Sequence, residues 1–369
     1  VRLIADAIIV CAAAALCPVA AAAPATASPA THRRTGRLVD VPGVRAAMQV
    51  VAGEWQACAL DTGGRVGCWG SANRDAPLAW QRVAALPAAV AIHSGGQFFC
   101  ADDRVGASRC WGNALWLPNI RVDPDNFQAP RFRQPQVVDG PGGFARAVEI
   151  TPRCGRRADG AISCGDPRYI DPRDAAPVTR VPLSGPAVLL TGGYWQGCAL
   201  LASGRAACWG ANSHGQLGRG TTADFADAAP VAGVDRLRAI ANLNEHTCAI
   251  DADAHVWCWG RNDAGQLGDG TRVERHAPVR VSGLDDARPI AIGANEAASC
   301  ALLASRRVRC WGSGRDGMIG DGTFQDRTRP VEVAGLDDAV ELDAGWDFFC
   351  ARRASGRVAC WGKILGEAD

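Results

Sequence analysis

The 369-residue chain is 48% hydrophobic and 21% charged, a composition that supports a packed core rather than a disordered polymer. Its 39 Lys and Arg nearly balance 38 Asp and Glu, and the formal charge of +1 argues against a broad cationic footprint for nucleic acid. Lys363 is the single lysine, which removes most lysine-dependent chemistry, Schiff bases and Walker-type phosphate cradles included.

At the N-terminus, Arg2 precedes a largely apolar stretch from Ile8 to Ala23, followed by small-residue sites at Ala21–Ala23 and Ala25–Ala27. This is the pattern of an export signal, although Asp6 is an unusual charge within it. Residues 1–27 are read as a cleaved signal peptide and 28–36 as a polar linker. A membrane anchor is the alternative, but the stretch is Ala-rich and runs into Pro24 and Pro29. Lipid attachment at Cys17 is another, with Ala14-Ala15-Leu16 a poor context for it. No later apolar run approaches membrane-spanning length, so no span is expected in the mature chain.

Two of the sixteen cysteines, Cys11 and Cys17, fall in that segment. The other fourteen form seven pairs, the two members of each being ten residues apart. Cys58 pairs with Cys68, Cys100 with Cys110, Cys154 with Cys164, and Cys198 with Cys208. The series continues with Cys248 and Cys258, Cys300 and Cys310, and finally Cys350 and Cys360. The pairs recur with a mean period of about 49 residues, in the range that signals solenoids, propellers or arrays. Each pair brackets a hairpin with turn residues at its centre, as in Cys58-Ala-Leu-Asp-Thr-Gly-Gly-Arg-Val-Gly-Cys68. An even spacing puts both cysteines on one side of a sheet, and folding about Gly63 sets Cys58 opposite Cys68. Seven disulfides are therefore expected, in an oxidising compartment. Zinc binding would need close thiolate knuckles and redox catalysis a C-x-x-C motif, and neither is present.

After the second cysteine, six of seven copies continue Trp-Gly, at Trp69, Trp111, Trp209, Trp259, Trp311 and Trp361; the third has Gly165 instead. Adjacent to cysteine, each tryptophan points to the opposite face, where packing against the neighbouring blade is its expected role. Copies four to six follow with Gly-rich loops such as Asn262-Asp-Ala-Gly-Gln-Leu-Gly-Asp-Gly-Thr271. A Pro-led strand comes next, as at Pro278–Leu284 and Pro330–Leu336, and then a strand leading to the next cysteine. In copy two, Leu115 to Pro135 lacks the loop and reads as an irregular insertion.

The run Cys-Ala-Ile … Val-x-Cys-Trp-Gly-x-Asn-x-x-Gly-Gln-Leu-Gly-Asp-Gly-Thr at 248–271 closely resembles the repeat of the regulator-of-chromosome-condensation family, and the cysteine pairing resembles its secreted bacterial branch. The resemblance covers 37–369 and implies an all-β, seven-bladed β-propeller with four-stranded blades. The last copy ends at Cys360-Trp-Gly-Lys-Ile-Leu-Gly366 without an outer strand, and Arg37-Leu-Val-Asp-Val-Pro-Gly43 is expected to supply it and lock the ring.

No H-E-x-x-H or G-x-S-x-G motif occurs among the residues around the six histidines and the serines. The Asp pairs 285–286 and 337–338 recur at one repeat position, which marks them as turn residues, and Asp269-Gly-Thr and Asp321-Gly-Thr read as turns rather than calcium loops. His246 reads as structural. No enzyme activity, metal or cofactor is expected. The positions that vary lie just before the first cysteine: Glu54-Trp55, Gly96-Gln97, Ile150-Thr151, Tyr194-Trp195, Asn244-Glu245, Glu296-Ala297 and Trp346-Asp347. A propeller would gather them at one end of its channel. Glu54, Trp55, Tyr194, Trp195, Glu245, Glu296, Trp346 and Asp347 are thus the candidate binding residues. The competing reading has Trp55, Trp195 and Trp346 plugging the channel or packing between blades.

The resemblance implies a non-enzymatic extracellular module that binds a protein or peptide through one face; a secreted monomer is expected, and the balanced charge argues against a nucleic-acid partner. Guanine-nucleotide exchange, the activity of the family's eukaryotic namesake, and glycan binding or cleavage stand as alternatives.

Overall fold

Seven antiparallel sheets of four strands each make up the computed structural model of the chain, one sheet per cysteine pair, with almost no helix. The structure describes residues 38–70, 80–105, 107–113, 131–137, 147–165, 178–224, 226–285 and 288–363, and the expected signal and linker lie outside them. Among the described residues, no helix is long and apolar enough to cross a membrane.

Blade 5 shows how the sequence builds the unit. Its strands are Leu237–Asn242, His246–Asp251, Val256–Gly260 and Arg275–Arg280, running from the channel to the rim. The second strand, His-Thr-Cys-Ala-Ile-Asp, is buried at every position because blades cover both its faces. The fourth strand has no buried residue and forms the outer edge. Burial thus peaks in the strands that carry the cysteines.

Every expected cysteine pair stands in direct cross-strand register and is closed by a disulfide. In blades 1 to 4, Cys58 is bonded to Cys68, Cys100 to Cys110, Cys154 to Cys164 and Cys198 to Cys208. In blades 5 to 7, Cys248 is bonded to Cys258, Cys300 to Cys310 and Cys350 to Cys360. Their Cα atoms are 4.0–4.1 Å apart, a close approach characteristic of non-hydrogen-bonded cross-strand pairs. In blades 1, 2 and 5 the hairpin between the cysteines is set by an aspartate, Asp61, Asp103 or Asp251. Asp61 Oδ1 accepts from the N–H groups of Gly63 and Arg65, and Asp251 Oδ1 does the same for Asp253 and His255.

Where it is present, the Trp-Gly motif fastens a blade to the one before it. Trp259 packs with Cys198 and Leu217, Trp311 with Cys248 and Leu267, and Trp361 with Cys300 and Ile319. Their indole N–H groups donate to the carbonyls of Gln216, Gln266 and Met318 in the preceding Gly-rich loop, at 2.8, 2.9 and 3.1 Å. The glycine that follows is obligatory: Gly260 has φ +106°, and a Cβ there would lie 2.5 Å from the Glu245 carbonyl. Inside the loop, Asn262 Oδ1 accepts from Leu267 N–H while its amide donates to the carbonyls of Thr271 and Val273. Asp269 and Asp321 hold Thr271 and Thr323 in turns, as expected.

The N-terminal strand closes the ring. Val39 pairs opposite Cys360 and Asp40 opposite Ala359, and Val41 N–H donates to Val358 O at 2.8 Å. Two expectations need correction. The outer strands span Arg275–Arg280 and Arg327–Glu332, so Pro278 and Pro330 sit inside rather than at the start; an edge strand tolerates this, since one of its sides needs no ladder donor. In copy two, Arg131–Val137 is the regular fourth strand, so the irregular reading fails over 131–135, while 115–130 lies outside the described residues. Copy three, although it lacks Trp-Gly, builds four strands as expected.

Candidate functional site

Every innermost strand runs toward the same end of the channel and turns there into the cysteine-bearing strand. The turns are closed alike, with Gly53, Gly95, Gly193, Asn295 and Gly345 donating N–H to the carbonyls of Gln56, Phe98, Gln196, Ala298 and Phe348. The variable positions therefore do collect at one mouth. In blade 3 the equivalent bond runs from Thr151 to Cys154, two residues closer to the cysteine. The mouth residues of copy three are thus Pro152 and Arg153, not Ile150 and Thr151, because its second strand begins at Cys154 itself, two residues later relative to the cysteine than in blade 4.

Four candidates form one cluster over the opening. Tyr194, only 8% exposed, donates its hydroxyl to Glu54 Oε2 at 2.7 Å. Its ring centre lies 6.0 Å from Trp346, which stacks on Trp55 at 6.3 Å with planes 16° apart. These side chains come from blades 4, 1 and 7, so Tyr194 spans the mouth. Burial, reinforced by the Glu54 carboxylate, pushes the Tyr194 phenol well above its usual range and keeps it a neutral donor.

The remaining candidates border this cluster. Trp195 stays 37% exposed, with the Arg153 guanidinium 5.6 Å from its ring centre. Glu245 is ion-paired with Arg261 and lies 3.8 Å from His214 Nε2. Glu296 is raised above the usual carboxylate range by burial, with Asp347 and Glu245 adding to it. Asp347 is buried and likewise raised by burial, while Arg315 at 3.6 Å opposes the shift. Sequence reading misses Arg153, His214, Arg261 and Arg315. The last three lie in loops after Trp-Gly, which the repeat frame assigns to turns.

Below the mouth lies a cavity of about 520 Å³ lined by the innermost strands. Three of its polar residues are fasteners between blades. Glu341 accepts from Val50 N–H and Arg352, Glu149 from Leu190 N–H and Arg156, and the Gln49 amide exchanges two hydrogen bonds with the Ile92 backbone. All three occupy one repeat position and reach the next blade. His93 Nε2 meets Asp102 Oδ2 at 2.9 Å, and Ser108 donates to the other oxygen of that carboxylate. Asp102 stands between them, so the imidazole is not placed to take the serine proton. His246 is buried against Ser299 at 2.8 Å, and burial pushes it down to about 4, so it is neutral near pH 7. Asp251, Asp253 and His255 converge as potential metal ligands, but the Asp251 carboxylate is already engaged by its own turn, His255 and the Trp257 indole.

Asp343, also lining the cavity, is pushed up to about 7 by burial, aided by Glu341 and opposed by hydrogen bonds from Ala52 and Ala344 N–H. The folded state therefore holds this proton more tightly than the unfolded state, and its contribution is full below about pH 4 and lost as pH rises through 7. Asp343→Asn keeps an acceptor for Ala52 and removes the ionisation. The variant should gain stability over wild type as pH rises from 4 to 7, by on the order of 3 kcal/mol, and the gap should then stay flat. Denaturant midpoints across that range, read as the difference between the two proteins, check it.

A model of the regulator of chromosome condensation (RCC1) repeat matches residues 253–302. The ultraviolet-B receptor UVR8 of Arabidopsis thaliana is 37% identical over 76 residues, a match spanning 20% of this chain and 17% of that protein. The ring superposes on Prp20p of Saccharomyces cerevisiae with a TM-score of 0.67 at 15% identity, covering 85% of this chain and 81% of that one. Human WBSCR16 gives 0.70 at 14% identity, over 86% and 87% of the two chains. One stretch of the chain thus matches the RCC1 repeat, and the ring as a whole shares the fold of Prp20p and WBSCR16.

Proposed function

We propose that this protein is an exported, non-catalytic recognition propeller of the secreted bacterial branch of the RCC1 repeat family, acting as a monomer and binding a protein or peptide at the channel mouth. The RCC1-like ring is a fold suited to a protein-binding scaffold, and seven disulfides suit an oxidising, extracellular environment. The signal-like residues 1–27 supply the export route in this reading. The observation that carries it is the exposed Trp195, beside Arg153, on a mouth already braced by the Tyr194–Glu54 hydrogen bond and the Trp346–Trp55 stack. A large anchor on a rigid base loses little entropy on binding. Glu245 and Glu296 add polar contacts around it, and Glu54, Trp55, Tyr194, Trp346 and Asp347 form the base. Guanine-nucleotide exchange would require an intracellular partner and fits the disulfides poorly. Glycan cleavage would call on a pair of carboxylates, and at the mouth Glu54 is engaged by Tyr194 and Glu245 by Arg261.

The test is capture from the native culture fluid by wild-type protein, followed by affinity measurement with the purified partner. Trp195→Ala combined with Glu245→Gln should weaken binding at least about thirtyfold without shifting the melting midpoint. Undiminished binding by this variant would remove the mouth from the reading.

A further inference from the structure

The face opposite the mouth carries a second feature, built at a single repeat position. Every innermost strand has a register shift at its second residue, for example between Ala47 and Gln49 and between Ala187 and Leu189. A bulged residue is turned out of the ladder, and its identity is free of the packing that constrains its neighbours. Water-facing positions of this kind favour polar residues. This chain instead places Met48, Val90, Val188 and Ile290 there, exposed by 48, 47, 50 and 47%. Val148 and Val340 occupy the same position, and Arg238 is the exception.

Backbone hydrogen bonds make these residues one ring. The start of each innermost strand is held by the hairpin turn of the blade before it: Ala47 N–H donates to Gly356 O, Ala89 to Gly64, Ala187 to Gly160, Leu237 to Gly204 and Ala339 to Arg306. The exposed apolar groups therefore surround the far end of the channel, with the turns as an outer circle.

Charge on this face is unevenly committed. Most of its carboxylates are taken up locally: Asp61 and Asp251 by their turns, Asp253 by Arg236, Asp40 by Arg357 and Asp338 by Arg353, whereas Asp235 and Asp337 stay exposed. By contrast, the guanidinium groups of Arg45, Arg104, Arg157, Arg205, Arg288 and Arg306 are exposed and meet no carboxylate among the described residues. What remains to be satisfied is an apolar ring within a circle where these six arginines outnumber Asp235 and Asp337.

We propose that this face is a docking surface for an acidic protein segment, with apolar side chains entering the ring and carboxylates meeting the arginines around it. Arginine suits the carboxylate because its planar fork accepts it in two-point contact. A nucleic acid would set phosphates against the centre, where only apolar groups stand. A lipid surface would call for an aromatic belt, and the ring has no aromatic side chain. This surface is separate from the mouth, so its test is independent of the reading given above.

The probe is a labelled peptide of Glu-Glu-Leu repeats, titrated by fluorescence anisotropy at low salt into the full disulfide-bonded chain. Lys-Lys-Leu and Glu-Glu-Ser peptides, phosphatidylglycerol vesicles and duplex DNA serve as comparisons. Saturable binding to Glu-Glu-Leu alone is expected. Val188→Ser with Ile290→Ser, and separately Arg157→Gln with Arg205→Gln and Arg288→Gln, should each weaken it about tenfold with melting midpoints unchanged. Equal binding of the Glu-Glu-Ser peptide, no detectable binding, indifference to either set of substitutions, or tighter binding of vesicles or DNA would each overturn the proposal.

Discussion

A chain that begins at Val44 should fail to hold its ring closed. Such a truncation removes Val39 and Val41, which pack with Ala57, Trp69 and Val358, and it strips the Asp40–Arg357 ion pair at 2.6 Å. It also leaves Val358–Gly362 as a bare edge on a blade that would retain only three strands. Burial of one valine contributes roughly 1.5–3 kcal/mol, so two valines and their ladder bonds together should be worth at least about 3 kcal/mol. Against a chain starting at Ser28, the truncated form should melt well below and associate through the exposed edge on size exclusion. Val41→Asp should reproduce the destabilisation without altering chain length. A melting midpoint matching that of the longer chain would show that the short N-terminal strand decorates blade 7 rather than locking it.

The second large effect is expected at the interblade tryptophans, and it should be unequal. Trp311 is fully buried between blades 5 and 6 and satisfies its N–H on Gln266 O. Trp311→Ala should lose about 3–5 kcal/mol in denaturant unfolding with the disulfides intact. Trp209 faces blade 3 and is only partly buried there. Trp209→Ala should lose less than half as much. Equal losses would mean that the motif contributes through its own hairpin, not through the neighbour it enters.

Much of this architecture is legible in the chain because the repeat is long and the cysteines mark it. A spacing of ten forces the two thiols onto one side of a hairpin, and all seven pairs form accordingly, from Cys58 opposite Cys68 to Cys350 opposite Cys360. The latch is legible for the same reason, since the last copy lacks an outer strand and the N-terminus offers one. The register shift in copy three is not. Cysteine alignment hides a second strand that begins two residues later relative to the cysteine, and it places Arg153 away from the mouth where the side chain covers Trp195. The apolar ring on the opposite face is equally hidden, because a bulged valine reads as one more core residue in an alternating strand.

Blade number, disulfide pairing, the closing strand and the gathering of the variable turns at one end all follow from the order of residues. They rest on local geometry repeated at a fixed period, where each copy needs only its neighbour. Which side chains meet across the opening is settled by the closed ring and by nothing smaller. Tyr194 and Glu54 lie 140 residues apart, and Trp346 joins them only because seven blade-to-blade rotations return the chain to its start. No single repeat contains that closure, so no reading of repeats one at a time could place those three side chains together.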